Sequence, residues 1–245
     1  MMETVEALGV EYALTEGRNI IANSLRRTGT YQKYLIDAAE YYIGEGPFSR
    51  DGIVIDIGCN IGTFTLPLAR KFPNTQFHSF EPQRLVYQQF VHNVFRNRLE
   101  NVTTYNIALG SKNKIVKAPA VEPNHFNGSA LTLSTEVLRM LQQSKRVGFF
   151  PDGPATQEYQ VERLDIYTMP KVDLIKIDVE GMELEVLHGS IMTLLEHKPT
   201  IIFECWQEPW YATRAKQLMD MLKGLGYNIS HLKKDDYIGI HNENV

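Results

Sequence analysis

Cysteine is scarce in this chain: Cys59 and Cys205 are the only two in 245 residues. Two cysteines do not make a disulfide framework. Long hydrophobic runs are also missing. The most apolar stretches, "GIVIDIG" and "PTIIFECW", fall well short of the ~20 residues that span a bilayer. The opening "MMETVEALGVEYALTEG" is acidic and has no apolar signal-peptide core. Together these absences lead us to expect a reduced, cytoplasmic protein with no membrane span. Strong charge is lacking too. The net charge is −4 and the pI about 6.0, and the basic clusters, such as Arg26-Arg27 and Lys233-Lys234, are short and scattered. No stripe of basic and aromatic residues is present, so nucleic acid is not the expected partner. No repeat or low-complexity tract occurs. The seven histidines form no HExxH or similar metal spacing, and no metal site is expected.

What is present is an alternation of strand and helix. Buried-strand patterns occupy Gly52–Ile57, Gln76–Phe80, Val102–Leu109, "DLIKIDV" and "PTIIFEC". Helical patterns occupy 63–71, 81–97, 181–197 and 209–224. Such alternation predicts an α/β fold, with a mostly parallel sheet covered on both faces. The final strands "YNISHL" and "YIGIH", joined by "KKDD", predict an antiparallel hairpin at one edge. Residues 18–44 read as helical, so residues 1–49 are expected to be an N-terminal helical extension to a main domain over 50–245. Residues 110–172 break the alternation. They contain an expected hairpin (112–121), "NHFNGSALTL" and a helix over 134–146. Such an insertion suits a lid or substrate region, or a simple surface decoration.

In a parallel sheet, ligands sit at the carboxyl ends of the strands. "DIGCNIG" is such an end, and Gly58 and Gly62 allow backbone shapes and close approach that side chains block. The spacing is G-x-N-x-G, through Gly58, Asn60 and Gly62, and not the G-x-G-x-x-G of a dinucleotide site. There is no Gly-Lys-Ser of a phosphate loop either. Asp56 upstream disfavours a phosphate and favours an amine. Glu81 ends the second strand, 19 residues after Gly62, where a carboxylate can hold a ribose diol. An amine plus an unphosphorylated ribose describes S-adenosylmethionine.

Three blocks now carry a resemblance: "VIDIGCNIGTFTLPLA", "FHSFEPQRLVYQQFVHNVFRN" and "LDIYTMPKVDLIKIDVEGMELEVLHGSIMTLLEHKPTIIFE". The sequence resembles the class I S-adenosylmethionine-dependent methyltransferases, and within them the FkbM family. "KIDVEGMELEVLHG" is the most specific part, and "NGSAL" is similar to an element of that family. Cys59 stands where the family usually has alanine, and 132–160 is longer than the family norm. The resemblance implies a Rossmann-like seven-stranded sheet of order 3-2-1-4-5-7-6. It implies O-methyl transfer to a small-molecule, sugar or glycolipid-type hydroxyl. It also implies cofactor contacts from Asp56, Gly58, Asn60, Gly62, Glu81, Asn106, Ala108 and Asp178. An RNA ribose 2′-O-methyltransferase and a non-catalytic cofactor-binding scaffold are the alternatives.

Period-two alternation in "DLIKIDVEG" puts Lys176 and Asp178 on one face. A lysine in a central strand needs a partner, and Asp56 and Glu204 on the neighbouring strands are the candidates. For proton abstraction from a hydroxyl, Asp178, Glu180 and His125 are the expected catalytic groups. Glu180 is the first choice as base, Asp178 serves to orient, and His125 in the insertion is the reserve.

Overall fold

The computed structural model of the protein describes residues 2–15, 19–44, 51–120, 132–143 and 156–244. The expected helical extension is corrected at its start. Within "METVEALGVEYALT" two short strands form: β1 (Met2–Ala7) and β2 (Val10–Thr15). Leu8 (φ 52°) and Gly9 (φ 75°) make a two-residue left-handed turn that pairs Ala7 with Val10. Helices begin only afterwards, as α1 (Ile20–Thr28) and α2 (Lys33–Gly44). Asn19 caps α1, its Oδ1 accepting the N–H groups of Ile21 (2.9 Å) and Ala22 (3.1 Å). Gly29, at φ 66°, ends it.

The main domain then runs through β3 (Ile53–Ile57), α3 (Thr65–Lys71), β4 (Gln76–Phe80), α4 (Arg84–Arg96) and β5 (Val102–Tyr105). It continues through β6 (Ala108–Leu109), β7 (Lys114–Pro119), α5 (Thr135–Gln143), β8 (Thr156–Glu162) and β9 (Leu174–Ile177). The last elements are α6 (Glu183–His188), α7 (Ile191–His197), β10 (Thr200–Glu204), α8 (Ala212–Gly224), β11 (Tyr227–Lys233) and β12 (Asp236–His241). Seven of these strands form one sheet, ordered β11-β12-β10-β9-β3-β4-β5. Numbered only among themselves they run 3-2-1-4-5-7-6 from the β5 edge. All neighbours are parallel except β12, which is antiparallel to both β10 and β11. Alternate residues feed the two cores. Val54, Leu174 and Ile202 pack with the N-terminal elements, α3 and α4. Ile55, Ile175 and Phe203 pack on the other face with α6 and α8.

The other five strands lie outside this sheet, as the β1–β2 hairpin and a three-stranded sheet β6-β8-β7. The third strand is therefore shorter than Val102–Leu109. The chain leaves the large sheet at Asn106, and Ala108 pairs with Val161. The expected hairpin at 112–121 is also corrected, since β7 pairs antiparallel with β8, Lys114 opposite Val161. A local pattern cannot distinguish a near partner from one more than forty residues away. "GMELEVLHGSIMTLLEH" is two helices, broken at Gly189. A Cβ there would lie 2.0 Å from the Gly110 carbonyl oxygen. Cys59 and Cys205 are buried free thiols. Among the described residues, no helix is long and apolar enough to cross a membrane.

The N-terminal hairpin is held by α4 through side chains that imitate a strand edge. Asn97 accepts the Glu11 N–H (2.8 Å) and donates to the Glu11 carbonyl (2.7 Å). Asn93 accepts the Ala13 N–H (2.8 Å), and Gln89 donates to the Ala13 carbonyl (2.8 Å). Asn93 also donates to the Ile61 carbonyl at 3.1 Å. Replacing this fully buried amide strands polar groups at both ends. Asn93→Ala is expected to cost ~1–3 kcal/mol in thermal or denaturant unfolding and to speed hydrogen exchange at the Ala13 amide. An unchanged melting temperature and unchanged exchange would show that α4 does not hold the hairpin.

Candidate functional site

The carboxyl ends of β3, β4 and β9, with the segment joining β5 to β6, surround a cleft of about 900 Å³, counting its open mouth. Its floor begins at Gly58. The Gly58 and Cys59 N–H groups both donate to the Phe80 carbonyl (2.9 and 3.0 Å), which folds the loop across the end of β4. Gly58 has φ 80°, and a Cβ there would lie 1.9 Å from the Asp178 carbonyl oxygen. Only glycine fits between the two strand ends. Asn60 sits at φ 50° and faces the cleft. Its own Oδ1 accepts the Ile61 N–H at 2.9 Å. Such a contact is what makes asparagine tolerable in a left-handed position.

Glu81 is buried at the second strand end and lines the cleft. One carboxylate oxygen accepts the Asn60 N–H (3.1 Å) and the other the Gln83 N–H (2.8 Å). Burial pushes this carboxyl up to about 7, against the opposing pull of those two N–H groups. Each oxygen keeps a further lone pair. The opposite wall is apolar, through Phe80, Ile107, Leu109, Leu133 and Met182. Ala108 lies in this wall, whereas Asn106 turns back to donate to the Glu81 and Pro82 carbonyls (2.9 and 3.1 Å).

Other sequence-derived positions take different places. Asp56 is fully buried and does not reach the cleft surface. It accepts the Thr65 hydroxyl at 2.6 Å and pairs with Lys176 at 3.3 Å. The expected contact with a ligand amine is therefore corrected: the Asp56 carboxylate is committed to Lys176 and Thr65 beneath the cleft. Gly62 (φ 93°) serves packing, since a Cβ there would meet Phe90 and Leu66 at 2.7 and 2.8 Å. Lys176 bridges Asp56 and Asp178 (3.4 Å) and donates to the Gly58 carbonyl at 3.1 Å. Burial alone would discharge it, but Asp56 and then Asp178 hold its ammonium charged well above the usual range. Glu204 makes no ion pair with it. Burial first, and then Asp178 and Glu180, raise the Glu204 carboxyl well above its ordinary range.

Asp178 and Glu180 both line the cleft. Glu180 has φ 55° and Gly181 φ 90°, two successive left-handed residues. The turn is fixed from beneath. Glu183 accepts the Val179 and Gly181 N–H groups (3.1 and 3.2 Å). Tyr211 and Arg214 donate to the Gly181 carbonyl (3.1 and 3.2 Å). Glu183 was legible only as an acid at a helix start, and its capping of the turn needed the structure. His125 and "NGSAL" lie outside the described residues. Among the described residues, no group of three or more His, Cys, Asp or Glu is arranged to hold a metal. Tyr31 and Gln32 from the α1–α2 connection also line the cleft; no sequence pattern tied them to it.

A sequence model described as "Methyltransferase FkbM domain" matches residues 56–229. The chain belongs to this family. It is similar to Methyltransferase 1 of Beauveria bassiana (strain ARSEF 2860), 28% identical over 150 residues, or 58% of the chain and 60% of that protein. It is 25% identical over 196 residues to Methyltransferase sdnD of Sordaria araneosa, covering 68% of the chain and 71% of that protein. The chain thus spans well under the full length of both. In fold it is similar to the crystal structure of methyltransferase FkbM from Methylobacillus flagellatus KT. That match has a TM-score of 0.51 at 18% identity and covers 79% of the chain and 44% of the other. The cofactor of this methyltransferase family is S-adenosylmethionine. The donor set of the cleft fits it: two carboxylates for an amine or cation and a diol, and an apolar wall for a flat base.

Glu81 and Glu183 give the site a pH dependence. Burial raises both carboxyls to about 7 from an ordinary 4.5. The folded state then binds protons more tightly than the unfolded chain. The stability these two groups contribute is greatest below about 4.5, falls as pH rises toward 7, and levels off above. Each group's contribution is on the order of 1–3 kcal/mol. Melting temperatures of the ligand-free protein should fall between pH 5 and pH 7.5, with a shallower fall in Glu183→Gln. A rising or parallel profile in the variant would contradict this account.

Proposed function

We propose that this protein is an O-methyltransferase that moves the methyl of S-adenosylmethionine to a hydroxyl of a small-molecule, sugar or glycolipid-type acceptor, in the cytoplasm. The observation that carries the proposal is that Asp178, Glu180, Glu81 and the Gly58–Asn60 loop line one cleft. When bound, the cofactor supplies an electrophilic methyl on a sulfonium. Glu81 would receive the ribose diol through its remaining lone pairs. Ile107, Ala108 and Leu109 would flank the base. Asp178, fixed by Lys176 at 3.4 Å, supplies a negative charge beside the methyl-bearing end.

A hydroxyl is a weak nucleophile and needs its proton removed as the C–O bond forms. Glu180 is the group for that task. Its backbone is clamped in a left-handed turn by Glu183, Tyr211 and Arg214, so its carboxylate enters the cleft without a search for position. Much of the rate in such transfers comes from alignment. The net charge of −4 and the absence of a basic–aromatic stripe favour a small acceptor over RNA.

Glu180→Gln is expected to lower kcat by ~10²–10⁴-fold while leaving affinity for S-adenosylhomocysteine within a few-fold. Asp178→Asn should weaken cofactor binding as well. The measurement is transfer from radiolabelled S-adenosylmethionine to a panel of polyols, sugars and glycolipids, with calorimetry on each variant. If Glu180→Gln retains full turnover, Glu180 is not the base.

A further inference from the structure

The cleft has lining residues that the family's sequence blocks do not include. The connection between α1 and α2, residues 29–32, contributes Tyr31 and Gln32 to the same lining as Asp178 and Glu180. This segment is built, not loose. Gly29 closes α1 in the left-handed region, and the Ser24 and Thr28 hydroxyls both donate to the Thr30 carbonyl (2.8 and 3.0 Å). Gln32, although not glycine, is held at φ 46°, a conformation that costs energy and that the surroundings must impose. The Leu35 N–H then donates to the Gln32 carbonyl at 2.9 Å. Two residues past Gln32, the Tyr34 hydroxyl donates to Asp236 and so ties α2 to the last hairpin. Tyr31 is thus presented to the cleft from a frame pinned on both sides.

The Tyr31 phenol interacts with Asp178, Glu180 and Glu204. Among the described residues none hydrogen-bonds its hydroxyl. Burial first, and then those three carboxylates, hold the phenol well above its ordinary range. It is therefore a neutral hydroxyl at every working pH, able to donate one hydrogen bond and accept others. A neutral hydroxyl facing two carboxylates at the reacting end of a cleft is unsuited to be a base. It is well suited to hold an oxygen.

We propose that Tyr31 is an acceptor-orienting residue. Its hydroxyl hydrogen-bonds the acceptor oxygen and holds that oxygen between Glu180 and the transferring methyl. The proton lost by the acceptor goes to Glu180, the C–O bond forms as the S–C bond breaks, and Tyr31 exchanges no proton. This proposal rests on the methyltransferase reading above and adds the N-terminal segment to its chemistry.

The test uses the full chain and two ligands that differ only at the reacting centre. S-adenosylhomocysteine lacks the methyl, and sinefungin carries an amine in its place. In Tyr31→Phe, affinity for S-adenosylhomocysteine should stay within twofold and the melting temperature within about 2 °C, whereas sinefungin should weaken about tenfold. Tyr34→Phe is the control for a purely structural effect. It cuts the tie to Asp236 without touching the cleft, and should lower the melting temperature while leaving the ratio of the two affinities unchanged. Equal weakening of both ligands in Tyr31→Phe, or no change in either, would overturn the role of Tyr31. If the wild-type protein binds neither ligand, the cofactor assignment itself fails, and this proposal fails with it.

Discussion

The buried ammonium of Lys176 is the interaction on which the site depends. It stands between Asp56 on β3 and Asp178 at the end of β9, and donates to the carbonyl of Gly58 in the loop. Three pieces of backbone that must meet at the cleft thus share one cation. A lysine only 5% exposed is unfavourable on its own, and its two carboxylates are what make it tolerable. Such an arrangement adds little net stability compared with a well-packed apolar core. Its value lies in specificity, because a register shift between β3 and β9 would leave a charge buried alone. The same cation explains why an acid that reads as ligand-binding, Asp56, lies beneath the floor. It is committed to Lys176 and Thr65.

Much of this was legible in the chain. Strand–helix alternation gave the sheet, the short "KKDD" turn gave the antiparallel edge, and the out-of-pattern lysine in "DLIKIDV" demanded a buried acid. The spacing of Gly58, Asn60 and Glu81 placed all three at the cleft. The failures have physical causes. The β1–β2 turn uses Leu8-Gly9, where Asn-Gly would have been the recognisable signal. β7 finds its partner across the insertion, and pairing at that separation leaves no local trace. The clamp under Glu180 comes from Glu183, Tyr211 and Arg214, whose convergence depends on how α8 packs on α6. Tyr31 reaches the cleft only because the N-terminal segment folds back over it.

The N-terminal elements are integrated with the site to a degree that their distance in sequence conceals. Asn93 holds the Ala13 N–H with one end of its amide and the Ile61 carbonyl with the other. The hairpin and the loop after β3 are therefore fixed against the same side chain. Tyr34 does the equivalent at the other edge through Asp236, whose own carboxyl burial raises to about 6. The hairpin and the two helices are tied to α4 on one side and to β12 on the other.

The exit of the chain at Asn106 has a consequence for how such a site can change. Ile107–Leu109 form one wall of the cleft only because β6 abandons the large sheet to pair with β8. Floor and wall therefore belong to different sheets. The floor is locked by buried charge and by a glycine that no other residue can replace. The wall is carried by a small sheet whose other strands are tied to the insertion. A change in the length or packing of that insertion is transmitted to the wall as a displacement, while the charged floor stays where it is. The protein thus holds the charged floor and the apolar wall of its cleft on separate supports, and one can shift without dismantling the other.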